Sequence, residues 1–481
     1  MNPFLATDGY KTGHHKMYPQ GTSFVYSNFT PRSNKRAPKG CDSIVSFGQQ
    51  MTVIQIHELF RDNFFSKNKE EVCGEIKREY STYLGCDYDV SHIEKLHDLG
   101  YLPIKIKSIE EGRLVPIGVP VLTISNTLPE FYWVTNFLET IISNLLWKPI
   151  TSATIANEYK KKMLFWAKKT DEKNIGFVEF QCHDFSMRGM DSLSASMSSG
   201  LGHASSFLGS DSLPVIHGAR KYYGESEGVV YSVNATEHSV MCAGGDENEL
   251  DTFRYLMQQF PSGILSIVSD TWNLWDVLTK HLPKLKDEIL SRDGKIVVRP
   301  DSGDPVDIIC GSENGTIEEK KGVIELLWDV FGGSVNEQGY KVLDPHIGAI
   351  YGDSITLERA EQICRRLSEK GFASTNIVFG VGSFTYQFNT RDTFGFAMKA
   401  TYVEVNGIGR EIFKDPVTDS GEKKSAKGLL FVGEDEHGNL YVEDMVKIEQ
   451  ELSGELNIIY ENGRFQKPKT LSKIRQTLSI Q

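Results

Sequence analysis

From about Gly176 the chain reads as short apolar runs, each ending in polar or glycine residues and separated by stretches long enough for helices. The runs cover residues 177–182, 213–216, 229–233, 264–268, 296–298, 347–350 and 377–379. Strands alternating with helices predict an α/β fold: an irregular or incomplete parallel β/α barrel. Residues 1–150 have another texture, with β-like runs at 23–29 and 102–106 among helical stretches such as 54–64. The most apolar stretch, 128–150, carries Glu130, Asn136, Glu139, Asn144 and Lys148, which predicts a buried helix rather than a membrane span. Past Tyr402 the sequence is turn-rich and charged, and it is expected to fold back onto the start of the chain. The expected organisation is an N-terminal α+β segment at 1–150, a catalytic barrel at 151–390, and a C-terminal segment at 391–481 that completes a second α+β domain.

Composition narrows this picture. At 481 residues the chain exceeds one ordinary core, and 40% hydrophobic with 24% charged residues describes a globular protein. A net charge of -12 argues against a nucleic-acid surface. Seven scattered cysteines without a CxxC pair suit reduced thiols, and residues 1–10 lack a signal peptide's basic and apolar regions. The expected address is cytoplasmic.

The chemistry is concentrated in the few residues that end each apolar run. These are His183-Asp184-Phe185, His217-Gly218, Thr236-Glu237-His238, Ser269-Asp270, Arg299-Pro300-Asp301-Ser302-Gly303, Gly352-Asp353 and Gly380-Val381-Gly382-Ser383. Barrel enzymes build their sites at the carboxyl ends of the strands, so these residues are expected on one mouth. Acids, an Arg, histidines and glycine turns on one rim suit a phosphorylated, metal-bound substrate.

Arg299 offers a planar fork for phosphate or carbonyl oxygens, while Asp301 suits a ribose hydroxyl or magnesium. Gly352-Asp353 gives close backbone approach plus a carboxylate, and Gly382 lies in a turn whose N–H groups suit phosphate. Arg391 and Lys399 add positive charge downstream. His238 either shuttles protons, attacks a phosphoryl group or hydrogen-bonds its own loop. Phe185 either stacks on a flat heterocycle or fills the core, with Arg188 within reach of a phosphate. His14 and His15 are adjacent, which disfavours a shared metal.

In this order the motifs resemble the nicotinamide phosphoribosyltransferases, within the type II phosphoribosyltransferases that include the nicotinate and quinolinate enzymes. The resemblance runs from Leu5-Ala6-Thr7-Asp8-Gly9-Tyr10-Lys11 through these strand-end motifs to Thr390-Arg391-Asp392, Tyr402-Val403 and Phe413-Lys414-Asp415-Pro416-Val417. It implies a homodimer with shared active sites that makes nicotinamide mononucleotide from nicotinamide and phosphoribosyl pyrophosphate. The pyridine would lie between Phe185 and the other subunit's counterpart of Tyr10, with Asp211 accepting from the carboxamide nitrogen. A carboxylate there welcomes an amide and repels the carboxylate of nicotinate.

The resemblance further implies that Arg188 and Arg299 bind pyrophosphate or orient the base. Asp301 with Gly352-Asp353 would meet the ribose, Asp270 and Asp301 would lie near Mg2+, and Arg391, Lys399 and Lys414 would grip phosphates. His238 becomes the residue phosphorylated by ATP, a co-substrate. The family's more glycine-rich phosphate turn appears here as Gly380-Val381-Gly382-Ser383-Phe384, and Ala397 replaces a common serine. Arg32 and Arg36 are rival candidates for one N-terminal phosphate contact. The rival readings are a nicotinate phosphoribosyltransferase and a non-catalytic nucleotide-binding protein on the same scaffold.

Overall fold

The computed structural model describes residues 1–413 and 426–480. They divide into two compact units: Met1–Thr154, Gly218–Ser226 and Asn389–Gln481 form one, and Ile155–His217 with Glu227–Phe388 the other. Gly218–Ser226, expected in the barrel, thus belongs to the first unit.

The first unit is built on a seven-stranded sheet in the order Ile408–Glu411, Ala397–Val405, Thr22–Thr30, Leu122–Asn126, Ile104–Ser108, Asn457–Glu461, Arg464–Phe465. Every pairing in it is antiparallel, and strands from late in the chain flank those from the start on both sides. The apolar stretch at 128–150 enters a helix, Tyr132–Thr170. Its Leu138, Ile142, Leu146 and Ile150 recur every fourth residue and are fully buried, the spacing of one helical face. No helix among the described residues is long and apolar enough to cross a membrane.

The second unit contains seven parallel strands: β1 (Cys182–Asp184), β2 (Gly209–Ser210), β3 (Asn234–Ala235), β4 (Ser262–Val268), β5 (Asp293–Arg299), β6 (Ile347–Tyr351) and β7 (Ile377–Val381). Their order is β2-β1-β7-β6-β5-β4-β3. Gly209 of β2 also bridges to Tyr231, three residues before β3, so the two edge strands meet through one short contact. This is the irregular barrel that the alternating pattern predicts. Along β5, Ile296 and Val298 enter the buried core, while Lys295 and Val297 line the barrel's interior.

Three runs differ from expectation. Residues 177–182 are mostly a 3-10 turn, Glu172–Phe180, with Val178 fully buried, and the strand begins only at Cys182. The run 213–216 opens a helix, Pro214–Tyr223, because a proline favours the first helical turn; His217 and Gly218 therefore lie inside a helix and leave the rim. The strand read at 229–233 starts only after that run ends, at Asn234–Ala235, and within the run Tyr231 makes just an isolated bridge. Four to six apolar residues satisfy a buried turn, a helix face or a strand equally well.

Candidate active site at the carboxyl ends of the parallel strands

Parallel register holds the strand ends level: Asp184 pairs with Ser210 and Val381, Tyr351 with Phe379, Val298 with Ala349, and Arg299 with Val268. The next residues on each strand therefore share one rim. Two carboxylate centres stand on it.

The first centre lies just past β4 and β5. Asp270 Oδ2 accepts the backbone N–H of Asp301 and of Ser302 at 2.8 Å each, and the Ser302 hydroxyl at 2.6 Å. Its other oxygen, Oδ1, is buried without a hydrogen-bond partner. Arg299 returns onto Asp301 through Nε at 3.3 Å and Nη2 at 3.0 Å. His238, the first residue of a helix after β3, points Nε2 between the two acids, 3.9 Å from Asp270 Oδ1 and 3.8 Å from Asp301 Oδ2. Its Nδ1 lies 3.3 Å from the Thr271 hydroxyl.

Two glycines make room for this arrangement. A Cβ on Gly352 would sit 1.8 Å from Asp301 Oδ1, and one on Gly380 would reach the Phe185 ring at 2.6 Å. Asp353 stays exposed, accepting from the Ser354 hydroxyl at 3.0 Å. Asp304 has a structural task instead: its side chain caps the helix Pro305–Cys310 through Val306 N at 2.9 Å and Asp307 N at 3.3 Å.

The second centre lies just past β1 and β2. Phe185 lies under the Arg299 guanidinium, 5.4 Å from its ring centre, a cation–π contact that aligns both. Asp211 Oδ1 accepts from His183 Nε2 at 2.9 Å and from the Ser232 hydroxyl. Burial works against the charge on Asp211, but the bond and charge from His183, with Ser232 and Arg299, outweigh it and hold the carboxyl below its ordinary value. Phe185, Asp211, His183 and Ser232 share the wall of a largely apolar cavity of about 400 Å³ that runs along the barrel interior to Lys295 and Leu343.

Gly382 ends the β7 turn, and a Cβ on Gly189 would strike Ser383 Oγ at 2.2 Å, so the exposed Arg188 and this turn are neighbours. Of the expected site residues, the second unit thus brings together Phe185, Arg188, Asp211, His238, Asp270, Arg299, Asp301, Gly352, Asp353 and Gly382. Tyr10, 65% exposed, and the exposed Arg391 and Lys399 belong to the first unit. There Arg36 lies 3.7 Å from Asp392, and Arg32 Nε donates to the Gly395 carbonyl at 3.3 Å, so both border the Arg391 turn. Lys414 lies outside the described residues. Residue-type reasoning placed His183 on the rim without a role and gave none to Ser232; the i,i+2 spacing of His183 from Phe185 puts both on one strand face.

The profile of the nicotinate phosphoribosyltransferase (NAPRTase) family matches residues 180–478, and that of the nicotinamide phosphoribosyltransferase N-terminal domain matches residues 2–106. The chain belongs to the nicotinate phosphoribosyltransferase family. Among similar members, a protein of Acinetobacter baylyi named nicotinamide phosphoribosyltransferase is 51% identical over 100% of this chain and 98% of its own length. One of the same name from Mycoplasma pneumoniae is 36% identical over 86% of this chain and 92% of its length. The family's fold extends to human nicotinic acid phosphoribosyltransferase, with a TM-score of 0.59 at 16% identity over 99% of this chain and 93% of that one. Nicotinate-nucleotide pyrophosphorylase from Pyrococcus furiosus gives 0.57, also at 16% identity, over 100% and 95%.

Proposed function

We propose that this protein joins nicotinamide to phosphoribosyl pyrophosphate, forming nicotinamide mononucleotide and pyrophosphate, a salvage step toward NAD. The observation that carries the reading is Asp211, a carboxylate held charged on the wall of an aromatic-lined cavity beside Phe185. It is supported by likeness along the whole chain to proteins named for this activity.

In this reading the pyridine lies on Phe185, its amide N–H donates to Asp211, and its unprotonated ring nitrogen faces C1 of the ribose. The bond from C1 to the pyrophosphate oxygen breaks with its electrons on oxygen, and the ring nitrogen donates its pair to the resulting oxocarbenium carbon. No base is required. Arg299 and Arg188 meet departing negative charge, Asp301 and Asp353 meet the ribose, and the Gly382 turn offers N–H groups to phosphate.

The unpartnered, buried Asp270 Oδ1 facing the same space as Asp301 is a pair of hard oxygen donors that fits Mg2+. No group of three or more protein ligands occurs among the described residues, which suits an ion that keeps water and substrate phosphates as its other ligands. When bound, the ion would neutralise pyrophosphate as it leaves. His238, with Nε2 beside both acids, is the residue we assign to phosphorylation by ATP: the ring nitrogen attacks the terminal phosphorus and ADP departs. Tyr10, Arg391, Lys399 and Lys414 would act across a homodimer. With seven free cysteines, the proposed setting is the cytoplasm.

The test supplies purified protein with phosphoribosyl pyrophosphate, Mg2+ and either pyridine, with and without ATP, and weighs the product. Nicotinamide mononucleotide is expected, more completely with ATP. Turnover of nicotinate with an inert amide overturns the substrate, and no turnover of either overturns the enzyme.

A further inference from the structure

The two oxygens of Asp211 are treated differently. Oδ1 takes both donors, the His183 imidazole at 2.9 Å and the Ser232 hydroxyl. Oδ2 has no donor among the described residues, and the Asp211 side chain keeps 43% of its surface open against 12% for His183. Asp211 and Phe185 line the same cavity.

Backbone contacts hold this geometry. Asp211 N donates to the Asp184 carbonyl at 3.0 Å and Ser210 N to the Tyr231 carbonyl at 3.0 Å, so the donors and the acceptor sit on adjacent clamped segments. Gly209 is part of the seat: a Cβ there would lie 2.7 Å from His183 Nδ1 and push the ring away. Because a carboxylate can only accept, Nε2 of His183 carries the hydrogen.

We propose that His183 and Ser232 are specificity-determining positioning residues: by jointly occupying Oδ1 they leave Oδ2 as the acceptor shown to the pyridine's substituent. The inference rests on the proposed function and deepens it. An amide N–H donates to Oδ2, whereas nicotinate brings a second carboxylate against a carboxylate, with its charge unmatched there.

Without the two donors the balance reverses. Burial opposes the charge on Asp211 and is overcome by His183 first, then Ser232 and Arg299. Remove the donors and the carboxyl retains a proton to higher pH, becoming an acid that can donate to nicotinate. The other titratable or charged side chains facing this space are Tyr231 and Lys295 along the cavity wall and Arg299 from β5.

The experiment places nicotinamide and nicotinate in competition at saturating phosphoribosyl pyrophosphate, from about pH 5.5 to about pH 8, and reads the ratio of the two mononucleotides. In H183L and S232A, kcat/KM for nicotinamide is expected to fall about ten- to hundredfold, a lost hydrogen bond to a charged group. The share of nicotinate product should rise as pH falls, while KM for phosphoribosyl pyrophosphate changes little. H183Q, which keeps an N–H donor, should recover most of the discrimination. Wild-type product ratios at every pH in both H183L and S232A overturn the inference, as does an equal loss with both pyridines accompanied by a raised phosphoribosyl pyrophosphate KM. Wild-type protein that itself prefers nicotinate overturns the substrate reading first.

Discussion

Asp270 and Asp211 are the same side chain put to opposite uses. Each has one oxygen saturated by protein donors and one left over: three donors meet Asp270 Oδ2, and two meet Asp211 Oδ1. The spare oxygen of Asp270 is buried, with 4% of the side chain exposed, facing a histidine and within a cluster holding a second acid. Asp211 keeps 43% of its side chain exposed and lines a largely apolar cavity with aromatic walls. Surroundings, not residue type, make one suited to a hard cation and the other to an amide.

The comparison breaks most sharply at Asp270. Asp270→Ala removes the spare oxygen and orphans the donors of the 301–302 turn, so turnover should drop by about a thousandfold or more, measured alongside a thermal melt lowered by the lost contacts. Next in size is Gly352→Ala. Its Cβ has no space beside Asp301, and a displaced Asp301 should cost about a hundredfold in kcat/KM with the circular dichroism spectrum unchanged.

At the other centre, Asp211→Ala should leave phosphoribosyl pyrophosphate binding intact while the preference for nicotinamide over nicotinate falls by about ten- to hundredfold, read from competing products. The smallest effect is on stability. Because the folded Asp211 carboxyl lies below its ordinary value, its contribution is present above about pH 4 and lost as pH falls through the folded value. Asp211→Asn should therefore lower the denaturant midpoint slightly at neutral pH, with the difference from wild type shrinking as pH falls below about pH 4 and the acid limb flattened accordingly.

The barrel was legible because long alternation survives errors in single runs: β4 to β7 lie where apolar runs 264–268, 296–298, 347–350 and 377–379 stand. The runs at 177–182 and 213–216 misled because burial alone does not distinguish a turn or helix from a strand. In the site, Arg299, Asp301 and Asp270 announced themselves as charged residues at strand ends. His183 stood among the strand-end residues too, but its role and that of Ser232 did not show, since they act on another side chain and sit 49 residues apart.

By itself the sequence determined the class of fold, the level at which strand ends carry charged and polar residues, and the residue types that suit a sugar phosphate, because periodicity and punctuation are local properties of the chain. Tertiary structure alone decided which oxygen of each aspartate is free, that Asp304 caps a helix, and that Gly209, Gly352 and Gly380 must lack a Cβ. Those outcomes depend on distances between segments far apart in the chain, which no local pattern encodes.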